Sequence, residues 1–206
     1  MRILKSIFSL FLMSVVLFSC SKNEEEVLPV IASSAINIHA PVNTDYTVNP
    51  PTEGGEFTKF SFATGTVVIG DDWDIAFRGT SIIINGGTLI GVLDEPSRTG
   101  VGALSVETST FDGVILAPDG TNFTQDKAGV YALPKGSGNG WYSYSPSNHI
   151  ISPIAGKILV IKTHNGHYAK MEIISYYKDG DTSLDSGYYS FTYAYNPNVG
   201  DLNLEL

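Results

Sequence analysis

The stretch Lys157-Ile158-Leu159-Val160-Ile161-Lys162-Thr163-His164-Asn165-Gly166-His167-Tyr168-Ala169-Lys170-Met171-Glu172-Ile173-Ile174-Ser175-Tyr176-Tyr177 decides the fold. Asn-Gly between two apolar runs is the strongest short hairpin signal, because both central residues of a type I′ turn need positive φ. It predicts that Ile158 to His164 pairs with His167 to Tyr177. Within the second arm, Ala169, Met171 and Ile173 alternate with Lys170, Glu172 and Ile174, the period-two pattern of a half-buried strand. A two-residue turn also sets His164 and His167 directly opposite each other, with Cβ atoms about 5 Å apart.

The same period recurs on either side. Trp73, Ile75 and Phe77 alternate with Asp74, Ala76 and Arg78, which predicts one apolar face. Tyr189, Phe191, Tyr193 and Tyr195 form an aromatic row opposite Ser190, Thr192 and Ala194. Asn85-Gly86-Gly87 closes a strand at Ser81 to Ile84, and Asp179-Gly180-Asp181 follows the strand ending at Lys178. Gly-, Pro- and Ser-rich stretches at Asn49 to Gly55, Asp94 to Gly102, Ala117 to Asn122 and Pro134 to Pro153 read as long loops. Helical periodicity is almost absent; only Thr108 to Val114 and Phe123 to Val130 are expected to hold a short helical turn. The prediction is a single all-β domain over residues 36–206, an antiparallel sheet or sandwich with hairpins, long loops and little helix.

Composition narrows the function. The chain has 206 residues, a formal charge of -9 and one cysteine. One cysteine excludes a disulfide scaffold and a thiolate zinc site. The acidic balance, with no Lys/Arg cluster, argues against nucleic acid. Residues 1–19 read as a secretion signal: Arg2 and Lys5 precede an apolar run from Ile7 to Phe18, shorter than the roughly 20 residues of a membrane span. The run ends in Leu17-Phe18-Ser19-Cys20, which resembles a bacterial lipobox, and the chain's one cysteine stands where acylation needs it. Two or three acyl chains hold a soluble domain at a bilayer, each buried methylene contributing about 0.8 kcal/mol. Residues 20–35 then read as an acylated, acidic tether. Its Ser21-Lys22-Asn23-Glu24-Glu25-Glu26 is similar to the surface-export signal of Bacteroidetes lipoproteins, placing the chain at the outer membrane, facing outward.

Catalytic motifs are missing. No glycine-rich phosphate loop and no Gly-x-Ser-x-Gly elbow occurs, and Asp71, Asp72 and Asp74 read as turn caps or solvated face, so an enzyme is not expected. Four histidines remain. His164 and His167 lack further ligands, and nothing in the pattern assigns His39 a role. His149 follows Trp141-Tyr142-Ser143-Tyr144-Ser145-Pro146-Ser147-Asn148, an aromatic loop entering a strand. Flat aromatic and aliphatic surface beside one imidazole suits haem, whose macrocycle is buried by apolar contact while the iron takes an axial nitrogen.

Phe60-Ser61-Phe62-Ala63-Thr64-Gly65, Asp72 to Arg78, Ser81 to Gly87, Trp141 to Tyr144, His149 to Pro153 and Lys157 to Tyr177 together resemble the HmuY-like haem-binding lipoproteins of Bacteroidetes. The resemblance runs from about Phe57 to Tyr195. It implies an all-β haemophore, lipid-tethered at the outer membrane, that takes haem from host or environmental haemoproteins and passes it to a TonB-dependent receptor. Family members hold iron between two axial side chains on loops, two His in some and two Met in others. Carried over, His149 stands in the loop of one ligand. The window for the other, Ala117 to Lys135, holds no His or Met, and Tyr131 is its one conventional iron ligand. Met171 is placed in the core by its alternation. Three outcomes stay open: ligation by His149 alone, a His149/Tyr131 pair, or a relative that has left the family's haem pattern. A second reading is a non-enzymatic surface domain for adhesion or glycan contact, stacking ligands on Trp141, Tyr142, Tyr144 and the Tyr188 to Tyr195 row.

Overall fold

The computed structural model describes residues 26–206; the signal segment and Cys20 lie outside the described residues. In chain order the strands are β1 (Ile31–His39), β2 (Asn43–Asp45), β3 (Thr52–Gly54), β4 (Thr58–Ser61), β5 (Thr66–Val68), β6 (Ile75–Arg78), β7 (Ser81–Ile84), β8 (Ala103–Thr108), β9 (Tyr142–Ser145), β10 (Ile150–Pro153), β11 (Lys157–Lys162), β12 (Tyr168–Tyr177) and β13 (Ser186–Asn196). Every strand pairing is antiparallel. A five-stranded sheet, β1-β13-β12-β11-β8, faces a four-stranded sheet, β5-β4-β6-β7, and two ribbons, β2-β3 and β9-β10, stand apart. The chain is an all-β sandwich, as the alternation predicts. Its helical content among the described residues is two 3-10 turns, Gly120–Asn122 and Lys178–Gly180, outside both segments expected to turn. No helix among the described residues is long and apolar enough to cross a membrane.

The core forms where the period-two faces meet. Tyr189, Phe191, Tyr193 and Tyr195 of β13, with Ala169, Met171 and Ile173 of β12 and Leu159 and Ile161 of β11, close on Phe60, Phe62, Ile75, Phe77, Ile82 and Ile84 of the smaller sheet. Full burial of each large side chain contributes about 1.5 to 3 kcal/mol. Edge-to-face ring pairs, such as Phe60 with Phe191 at 5.2 Å, add orientation. Met171 is fully buried, as its alternation predicts.

Three expectations about the strands are corrected. β1 begins at Ile31 and pairs Ile31 to Ala35 with Tyr195 to Phe191, so the folded domain starts before residue 36 and takes in part of the expected tether. Trp73 does not share a face with Ile75 and Phe77: it lies on the far side of the small sheet with Phe57, Ala76, Ile83 and Ile90. β6 and β7 are therefore buried on both faces, which explains their near-continuous apolar runs. Lys170 is fully buried rather than solvated, because the segment around Phe111 to Ala117 covers the outer face of β11 and β12; its Nζ donates to the Phe111 and Val114 carbonyls, both at 2.9 Å.

The hairpin itself forms with a different turn. Lys162 opposes Tyr168, and the Thr163 N–H donates to the His167 carbonyl, leaving His164, Asn165 and Gly166 as the loop. The Gly166 N–H closes a β-turn on the Thr163 carbonyl and Gly166 takes φ +89°, the geometry of a type I turn followed by a left-handed bulge residue. His167 consequently opposes Thr163, not His164, and the expected histidine pair does not form.

Candidate functional site

The ribbon carrying His149 is built locally. Ser145 opposes Ile150, so Pro146 to His149 form the connecting loop. The Asn148 carboxamide accepts from the Ile150 N–H at 3.3 Å, and the Ser145 and Ser147 hydroxyls bond at 3.1 Å. His149 ends the loop at φ +58°, a left-handed conformation that His tolerates better than most non-glycine residues and that costs of order 1 kcal/mol. The return into β10 places the imidazole beside Tyr144 of β9, with Nδ1 2.6 Å from the Tyr144 hydroxyl. Among the described residues Nε2 has no hydrogen-bond partner. His149 is exposed, Tyr144 is 41% exposed, and Ile150 and Ile151 are half-buried beside them.

Both edges of the ribbon are tied down. The Tyr144 N–H donates to Ser137 Oγ at 2.8 Å and the Gly138 N–H to the Tyr142 carbonyl at 2.8 Å, so the loop around Ser137 lines the outer edge. On the other side the Ile151 N–H donates to the Tyr177 hydroxyl at 2.9 Å. At its base Trp141 is 2% exposed, donates Nε1–H to the Thr80 carbonyl at 3.0 Å, and packs with ring centroids 4.9 Å from Tyr142, 5.5 Å from Tyr176 and 5.1 Å from Tyr189. Burial, reinforced by neighbouring tyrosines, pushes the Tyr176 and Tyr189 phenols up, so both remain neutral hydroxyls.

The remaining sequence-predicted residues separate. Trp141, Tyr142, Tyr144 and His149 come together on one ribbon, with Trp141 as interior support and Tyr144 as the exposed ring. Tyr131 does not join them: it is half-buried against the Trp73 cluster, with Lys135 Nζ 5.3 Å from its ring centre, and no hydrogen bond or ring contact among the described residues links it to His149. His39 stacks on Tyr188 at 4.4 Å. His167 Nδ1 lies 2.8 Å from Asn165 Oδ1. No group of three or more His, Cys, Asp or Glu among the described residues is placed to hold a metal ion.

Sequence reasoning missed two partnerships. Tyr144 and His149 meet across a four-residue hairpin loop, and that spacing is the signal that could have found them. Asp74 and His164 meet across the sandwich. Asp74 is 1% exposed; its Oδ1 accepts the His164 N–H at 3.1 Å and lies 2.7 Å from His164 Nδ1, and its Oδ2 accepts the Phe62 N–H at 2.7 Å. Asp74 is thus buried rather than on a solvated face, whereas Asp72 is exposed, with Oδ1 3.9 Å from His164 Nε2. The hydrogen bond that the His164 ring donates to Asp74 is the main cause raising the His164 pKa; burial opposes it and the Asp74 and Asp72 charges add to it.

A family model described as HmuY protein matches residues 54–193, which take in the four-stranded sheet, the large sheet apart from β1, and the His149 ribbon. Among solved structures, the apo HmuY analog of Tannerella forsythia aligns at 15% identity and TM-score 0.50, covering 84% of this chain and all (100%) of that one. A Bacteroides vulgatus protein proposed to be HmuY-like and haem-binding aligns at 16% identity and TM-score 0.45, covering 70% of this chain and 87% of that one. A proposed lipoprotein of Bacteroides fragilis gives 16% identity, TM-score 0.43 and coverage of 69% and 85%. Comparison with curated proteins finds no match. At 15% identity the Tannerella forsythia structure speaks to the fold alone, and the assignment rests on the family model. The chain is a member of the HmuY family.

Proposed function

We propose that this protein binds haem on the tip of the β9-β10 ribbon, with His149 Nε2 as the axial ligand. The observation that carries the reading is the Tyr144 hydroxyl held 2.6 Å from His149 Nδ1. A ligating imidazole commonly donates its second ring nitrogen to a fixed partner, which sets the tautomer and the ring orientation. Ligation selects the tautomer in which Nδ1–H donates to Tyr144 and the Nε2 lone pair is free. Bound haem supplies the iron that this lone pair coordinates. Tyr144 offers a ring face, Ile150 and Ile151 add apolar surface, and the ties to Ser137 and Tyr177 keep the ribbon from folding away. The donor set fits a haem held from one side, since Tyr131 sits in another cluster and Met171 is sealed in the core.

In the same reading, acylated Cys20 anchors the domain at the outer membrane facing outward, host or environmental haemoproteins are the donors, and a TonB-dependent receptor takes the haem. An exposed, one-sided site suits transfer, because the open face stays available to an acceptor. Adhesion or glycan stacking has less surface to use: Trp141, Tyr189, Phe191 and Tyr193 are all buried.

Haemin titration followed by absorbance tests the site. The native chain should show a shifted Soret band. His149→Ala should lose the shift, and Tyr144→Phe should weaken binding about tenfold, the lower range for loss of a ligand's orienting partner. An unchanged Soret band and affinity in His149→Ala removes His149 from the site.

A further inference from the structure

The chain enters β1 from a fixed point. The Leu28 N–H donates to Asn198 Oδ1 at 2.9 Å and Asn198 Nδ2 donates to the Leu28 carbonyl at 2.8 Å, so one carboxamide grips the Leu28 backbone from both sides. Asn198 is itself held, its N–H and Nδ2 both donating to Oδ1 of the fully buried Asn196. The Gly200 N–H donates to the Gly166 carbonyl at 3.2 Å, which joins the turn after β13 to the tip of the β11-β12 hairpin. Chain entry, turn and hairpin tip therefore make up one end of the sandwich. Val27 is 77%, Leu28 48% and Val199 70% exposed there, and no charged residue occurs from Val27 to Ile38 or from Asn196 to Gly200. Asp201 turns its carboxylate inward, Oδ2 accepting from Asn196 Nδ2 at 3.0 Å and Oδ1 from the Asn203 N–H at 3.1 Å. The His149 ribbon lies at the opposite end: Tyr168, the first residue of β12, opposes Asn196, whereas Tyr177, the last, accepts the Ile151 N–H with its hydroxyl. The ten residues of β12, at about 3.3 Å each, set the two ends about 30 Å apart.

We propose that the Leu28 end is a docking face for the bilayer that carries the anchor, with Val27, Leu28 and Val199 against the lipid headgroups and the His149 ribbon pointing away. The inference rests on the proposed acylation of Cys20 and is independent of haem binding. Chain length selects this occupant. Leu28 follows Cys20 by eight residues, so even at full extension, roughly 3.5 Å per residue, the grip stands no more than about 28 Å from the acylated residue. Docking by the ribbon end would lift Leu28 by more than the length of β12, beyond that reach. Surface chemistry then favours standing on the near end: exposed aliphatic side chains gain by leaving water at a membrane interface, and the uncharged entry and turn bring no charge into the contact. Exposed Asp72 marks the small-sheet side of this end as the part left in water, so contact falls on the large-sheet corner. The two-sided grip of Asn198 passes the position of the tether to the sheet as a whole.

The test uses the mature chain with Cys20 acylated, its mass verifying the acyl groups, in phosphatidylcholine vesicles that carry an energy acceptor on a fraction of the headgroups. Acylation blocks the native thiol, so a single added cysteine takes the donor dye, either Val199→Cys at the docking end or Pro146→Cys in the exposed ribbon loop. Donor quenching should be several-fold stronger at position 199 than at position 146. Adding Val27→Asp and Leu28→Asp should bring the two values together while leaving the circular dichroism spectrum unchanged, because both side chains are exposed. In an acylated chain, equal quenching at the two positions, stronger quenching at 146, or a difference that survives the double aspartate substitution overturns the orientation. A chain that carries no acyl group overturns the anchor and the orientation with it. Haem binding is read separately, since the chain from Ser21 onward should give the same Soret titration whichever way the vesicle result falls.

Discussion

Asp74 satisfies three donors from two distant segments with one carboxylate, and His164 contributes two of them. Its partner supplies the pH dependence. The folded-state pKa of His164 is raised above its ordinary value, chiefly by the hydrogen bond its ring donates to Asp74. A raised histidine pKa means that the stabilisation is fully present below the unfolded value of about 6.5 and is lost as pH rises through the folded value. Native protein should therefore exceed His164→Gln in melting temperature most at acid pH, with the gap narrowing toward alkaline pH. Thermal melts of both chains across that range check it, and a constant gap would refute it. The same residue explains why the hairpin turn departs from the two-residue form that Asn-Gly favours. Asn-Gly alone favours two central residues, but Asp74 draws His164 inward and Thr163 Oγ1 accepts the His167 N–H at 2.8 Å, so the loop opens by one residue.

β12 presents two different interiors. Its core face was legible because Ala169, Met171 and Ile173 repeat every second residue. Its other face was not, since a lysine at position 170 reads as solvated unless something covers it. The cover comes from a loop over fifty positions upstream, as the Phe111 and Val114 separations of 59 and 56 residues show. Lys170→Met keeps the volume but leaves both carbonyls unpaired, and should cost on the order of 2 kcal/mol. Urea unfolding measures this, together with faster amide exchange around Val114 to Ala117; a loss within about 0.5 kcal/mol would place Lys170 among ordinary surface positions. The β9-β10 ribbon shows the same division. The loop position of His149 could be read from the sequence, whereas Pro134 to Pro153 reads as one long loop; the strands at Tyr142–Ser145 and Ile150–Pro153 and the Tyr144 contact depend on pairing and register, which composition does not encode.

At the scale of the molecule, periodicity carried the class and most strands, while the pairing of distant segments lay beyond it. Tyr131 shows the limit: residue type alone made it a candidate, yet its segment packs against Phe57 and Trp73 rather than against the ribbon. The two tryptophans end up in separate compartments, Trp73 behind the small sheet and Trp141 at the foot of the His149 ribbon. That separation makes the protein its own optical ruler. In a Trp73→Phe chain the remaining indole should be strongly quenched by energy transfer when haemin saturates the tip, whereas undiminished emission at saturation would locate the chromophore elsewhere.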